Sequence, residues 1–123
     1  MRKVVGLITV AVMILFCAAG AAWGADAAAG KAVFTGSAGC GSCHTLAAAG
    51  TTGTVGPNLG TSIVPSAKKA GMAVKPFIME SILKPNAFIA PGYAPNVMPQ
   101  TFGQTLTQTQ VQALVNFISS VTK

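Results

Sequence analysis

Residues 40–44 read CGSCH, inside the stretch GSAGCGSCHT (36–45). Cys40 and Cys43 are the one close cysteine pair in the chain, and His44 is its single histidine. Three chemistries use such a run. A thiol–disulfide switch places C-x-x-C at a helix start after a strand. A zinc site needs about four Cys or His ligands. A covalent haem anchor joins each cysteine to a vinyl group and sets the adjacent histidine under the iron. The rest of the chain has to choose between them.

Upstream, Arg2 and Lys3 precede the uncharged run VVGLITVAVMILFCAAGAAWGA, which ends in small residues. A basic start, an apolar core and a small-residue zone form an export signal. Cleavage is expected after Gly24, so 1–24 reads as a signal peptide and 25–123 as one domain. The competing reading is an uncleaved anchor over 4–22, close to the ~20 residues that span a bilayer. Lipid attachment at Cys17 is disfavoured by the large Phe16 before it. With the signal removed, six lysines stand against Asp26 and Glu80, a net +4. The lysines are scattered and the domain has no arginine, which argues against nucleic acid as a partner. The expected location is the periplasm or the outer face of the cytoplasmic membrane.

Three segments read as helices. In 26–36, Asp26 suits the N-cap and Gly36 the end. In 75–85, Pro76 suits the first helical position, and Pro85 turns Lys84 away from helix. In 106–121, Thr107 and Gln110 form a capping box, with Leu106 and Val111 at staple positions. Val111, Leu114, Val115 and Ile118 then line one helical face. No run alternates convincingly as a strand, so the expected class is all-α. Two long loops, about 46–74 and 86–105, join the helices. Loops beyond ~12–15 residues are uncommon in compact domains unless they serve a function. Three short helices also bury little core. A large apolar cofactor would supply one, faced by Ile63, Val64, Phe88, Ile89, Tyr93, Val97, Met98 and Phe102.

These features weigh against two of the chemistries. No second Cys or His cluster completes a zinc site, and no sheet supports a thiol switch. A plain disulfide with a surface histidine is the bland reading; haem attachment is the sharper one. The chain here resembles the class I mono-haem c-type cytochromes across the whole domain. GKAVF (30–34), CGSCH (40–44), VGPNL (55–59), SILKPNAFIAPGYAPNVMP (81–99) and LxxxQVQALVNFI (106–118) occur in that family's order. The resemblance implies helices and long loops wrapped around one covalent haem c. It makes Cys40 and Cys43 the thioether anchors and His44 the proximal iron ligand. It gives Pro57 the carbonyl that receives the other ring N–H of His44. It pairs Gly30 and Phe34 with Leu114 and Phe117 at a crossing of the first and last helices.

The other axial ligand has to be a Lys or Met, since His44 is alone. Met79 lies in an apolar stripe, where methionine is usually core filler. Met72 has little apolar context. Met98 lies between Pro95 and Pro99, whose fixed φ stiffens the loop, and the family sets its axial methionine in such an M-P step. Tyr93 is a candidate for a haem propionate or the ring edge, and Asn96 for a bond within the loop. The expected function is a carrier of single electrons. The alternatives are a haem subunit of a respiratory complex, and a haem enzyme or gas-binding module with a labile site. Expected partners are redox proteins such as a membrane-bound reductase or oxidase, steered by Lys68, Lys69, Lys75 and Lys84. A monomer is expected, with membrane association only if 4–22 stays uncleaved.

Overall fold

The computed structural model describes residues 21–123, with side chains from Asp26 onward. Residues 1–20 of the expected signal segment, Cys17 among them, lie outside the described residues. The expected all-α class holds. The order is α1 (Ala21–Thr35), β1 (Thr45–Leu46), β2 (Thr51–Thr52), α2 (Leu59–Ala70), α3 (Val74–Leu83), α4 (Phe102–Thr105) and α5 (Gln108–Val121). The two strands are one antiparallel rung pair, Thr45 with Thr52 and Leu46 with Thr51. Among the described residues, no helix is long and apolar enough to cross a membrane.

Two helices replace parts of the expected loops. α2 fills 59–70 despite Pro65 in its interior, where proline costs ~3 kcal/mol relative to alanine. Strong ends offset that cost. The Asn58 side chain accepts from the Gly60 N–H at 2.9 Å. At the other end Gly71 takes φ 69°, its N–H bonds the Lys68 carbonyl, and Met72 N–H bonds the Ala67 carbonyl. That 5→2 and 6→1 pair is a Schellman closure. Ile63 and Ala67, four apart, are buried on one face. α4 is a single turn ahead of the last helix.

The expected boundaries need three corrections. α1 starts at Ala21, so Asp26 lies within the helix instead of capping it; the alanines around it have the highest helix propensity. α3 starts at Val74 with Ala73 as its cap, so Pro76 falls at the third helical position. α5 starts at Gln108, with Leu106 and Thr107 ahead of it. Its capping box is complete: Thr107 N–H donates to Gln110 Oε1 at 2.9 Å, and Gln110 N–H to Thr107 Oγ1 at 3.2 Å. Leu106 and Val111 are both buried, as staple residues should be.

The core sits where α1 crosses α5 and α3 packs beneath. Phe34, Phe77, Ile78, Ile82, Leu114, Val115, Phe117 and Ile118 are buried there. The crossing is close because Gly30 has no side chain: a Cβ there would lie 2.2 Å from the Ala113 oxygen and 2.4 Å from Phe117 Cβ. Phe34 and Phe117 meet edge to face, centroids 6.0 Å apart. Phe117 is thus the expected partner. Ala113 faces Gly30 in place of Leu114, which is buried in the core. The end of α5 is pinned to α2 by Thr122 Oγ1 donating to the Leu59 carbonyl at 3.0 Å and Lys123 N–H to the Gly60 carbonyl at 3.0 Å.

Candidate haem site

The stretch 40–44 leaves α1 through Gly39, whose φ of 61° only glycine adopts at little cost. Cys40–Ser42 then make a 3-10 turn. The His44 N–H bonds the Cys40 carbonyl at 3.0 Å, closing the turn that carries both thiols and the histidine. Thr51, which carries no sequence signal, fixes the far side. Its hydroxyl donates to the His44 carbonyl at 2.9 Å and accepts from Leu46 N–H at 3.1 Å. Thr45 Oγ1 donates to the Gly53 carbonyl at 2.9 Å.

The His44 ring is held on two sides. Its Nδ1 lies 2.7 Å from the Pro57 carbonyl oxygen. A carbonyl can only accept, so Nδ1 carries the proton and Nε2 keeps a free lone pair. Against the ring stands Gly56, where a Cβ would lie 2.4 Å from His44 Cε1. Burial lowers the His44 pKa, opposed by the Pro57 bond, which favours the neutral, ligating form. Burial pushes the Cys40 thiol up to about 11, against a backbone hydrogen bond and helped by the neighbouring Cys43. A thiol switch requires the reverse, a lowered thiol pKa. Nor, among the described residues, do three His, Cys, Asp or Glu side chains cluster to hold a metal.

Cys40, Cys43, His44, Pro57, Tyr93 and Met98 all line one cleft. Its volume is about 220 Å³. Packed interiors leave few voids larger than a water, which needs only ~10–15 Å³. The walls are mostly apolar, from Phe34, Ile63, Phe77, Ile78, Ile82 and Phe88, and they extend the core. Seven of the eight apolar residues expected to face a cofactor line this cleft; Val64 is exposed on α2 and does not. Ile89, Tyr93 and Val97 are substantially exposed along it. A large apolar group with two thiol attachment points fits this donor set and these walls.

Of the three methionines considered, Met98 alone lines the cleft; Met72 and Met79 pack against the core. The Met98 loop is stapled by amides. Asn86 Nδ2 donates to Asn96 Oδ1 at 2.7 Å, and Asn96 N–H donates to Asn86 Oδ1 at 2.9 Å. The expected loop bond of Asn96 is therefore present; its partner Asn86 carried no sequence signal. Tyr93 also borders a second, more open groove with Asn58, Ser62, Ser66 and Lys69. Lys68 and Lys69 end α2, Lys75 bonds Asn116 on α5 at 3.2 Å, and Lys84 follows α3.

Among known families, the chain matches cytochrome c over residues 27–122. No curated protein matches the chain.

Proposed function

This chain belongs to the cytochrome c family, a family of haem c electron carriers, and we propose that it carries electrons outside the cytoplasm with its iron held between His44 and Met98. The observation that carries the reading is the meeting of both thiols, the imidazole and one thioether on a single apolar cleft. Bound haem supplies a reversible one-electron couple.

The chain's residues set how that couple behaves. Cys40 and Cys43 anchor the group as thioethers. The Pro57 carbonyl fixes the His44 tautomer and raises its basicity, as such partners do for metal-bound histidines. Met98 would supply the second iron ligand; a thioether ligand together with apolar walls raises the reduction potential. Tyr93, Ser62 and Ser66 line both the cleft and the second groove, and their hydroxyls would be available to the haem carboxylates. Lys68, Lys69, Lys75 and Lys84 steer an acidic redox partner, such as a membrane-bound reductase or oxidase. The basic, apolar, small-residue order of 1–24 supports export.

The test is Met98→Ala in the haem-loaded protein. It should lower the potential, abolish the far-red ferric charge-transfer band and admit carbon monoxide to the ferrous form. A wild type that already binds carbon monoxide, or a variant with the band unchanged, overturns the His44–Met98 reading. Electron-transfer rates with an acidic partner should fall as salt rises; a flat profile removes the steering role. Whole-cell fractionation that finds the haem protein in the cytoplasm refutes export.

A further inference from the structure

We propose that Asn86 is a positioning residue that holds Met98 at the cleft, an inference that rests on Met98 being an axial ligand. Asn86 lies in the 3-10 turn Pro85–Ala87, directly after α3. That turn is anchored. The Pro85 ring is buried and lines the cleft, and Ala87 N–H bonds the Lys84 carbonyl at 2.9 Å. α3 itself is fixed by Phe77, Ile78 and Ile82 in the core. Asn86 thus extends a rigid element toward a loop that has no regular structure between 88 and 101.

The amide of Asn86 uses both its ends on Asn96. Its Nδ2 donates to Asn96 Oδ1 and its Oδ1 accepts from Asn96 N–H. Asn96 is the one non-glycine residue with positive φ among those described, at 62°. Asparagine tolerates that region better than other side chains, and the two bonds hold it there. Two residues on is Met98. On its other side, Gln100 Nε2 donates to the Met98 carbonyl at 2.8 Å and lies 3.5 Å from Asn86 Oδ1, a weak contact. One side chain therefore faces residues on both flanks of Met98, and Pro95 and Pro99 restrict the backbone between them. A ligand held this way loses less entropy on binding than one on a free loop.

The experiment is a titration of the ferric, haem-loaded protein with imidazole, which competes with Met98 for the iron. Asn86→Ala should raise apparent imidazole affinity roughly tenfold, the yield of two net hydrogen bonds. It should also weaken the far-red band without changing haem content. Asn96→Gly keeps the positive φ and the backbone N–H but loses Oδ1, so its effect should be smaller. Asn86→Asp retains the acceptor for Asn96 N–H and should fall between Asn86→Ala and wild type. In a Met98→Ala background, Asn86→Ala should change nothing further. Wild-type affinity in Asn86→Ala, or an undiminished Asn86 effect without Met98, overturns the positioning role. If Met98→Ala itself binds imidazole no better than wild type, the ligand reading falls, and the clasp's role with it.

Discussion

Replacing Gly30 with alanine tests the crossing on which the core is built. The added Cβ would lie 2.2 Å from the Ala113 carbonyl oxygen and 2.4 Å from Phe117 Cβ. Ordinary contact at such a site begins at 3.4 Å, so α1 and α5 must part by roughly 1 Å. Neither obstacle is the far end of a flexible side chain, so local rotation gives no relief. A gap of 0.5–1 Å forfeits about a quarter to a half of each contact's attraction. Overpacking of this kind costs about 1–3 kcal/mol, and a rigid site belongs near the upper figure. Helix propensity acts the other way, since alanine gains about 1 kcal/mol over glycine. The net is a loss of about 2 kcal/mol. For a domain of this size each kcal/mol moves Tm by about 4–8 °C, so a fall of about 8–16 °C is expected. Thermal melts of the haem-loaded protein at 222 nm and at the Soret band measure it. Gly103→Ala is the control. Its Cβ would meet only Leu83 Cδ2 at 3.6 Å, and Tm should hold or rise. A Gly30→Ala Tm equal to or above wild type would show that propensity wins, and would refute a close crossing.

Three further outcomes test the site and its frame. Gly56→Ala should push the His44 ring off the Pro57 carbonyl; with one hydrogen bond weakened, the potential should rise by roughly 40 mV in spectroelectrochemistry. Thr51→Val removes both hydroxyl bonds beside His44 and should cost about 1–2 kcal/mol, read as a lower denaturant midpoint. Thr107→Ala breaks half of the α5 capping box and should cost about 1 kcal/mol in the same assay, with the visible spectrum unchanged.

What the sequence discloses follows from how local each signal is. The α5 cap, staple and apolar face are all written within sixteen residues, and all three are found in place. CGSCH is equally local. The cleft was legible for a different reason: the loop residues were too apolar for solvent and had no helix to join. α2 was hidden by Pro65 and by the weakly apolar LGTSIVPSAKKA. Its signal was present in Asn58, in Gly71, and in Leu59, Ile63, Ala67 and Ala70 at helical spacing. Asn86 and Thr51 were illegible because each acts through partners set by the tertiary fold. Asn86 meets Asn96 ten residues on, and Thr51 meets His44 only after the chain has doubled back.

The crossing of α1 and α5 also sets an order of events in folding. Gly30 and Phe117 are 87 positions apart (117 − 30), so joining them closes nearly the whole domain into one loop. Such closure costs about (3/2)RT ln n, roughly 4 kcal/mol here. The attachment stretch 40–44 lies inside that loop, close to its first helix. A chain synthesised from its N-terminus presents both thiols well before its last helix exists. Phe34, fully buried in the finished fold, has no cover from Phe117 until then. Were the thioethers formed on the open chain, a large apolar group would stand beside α1 and offer α5 a surface to close upon.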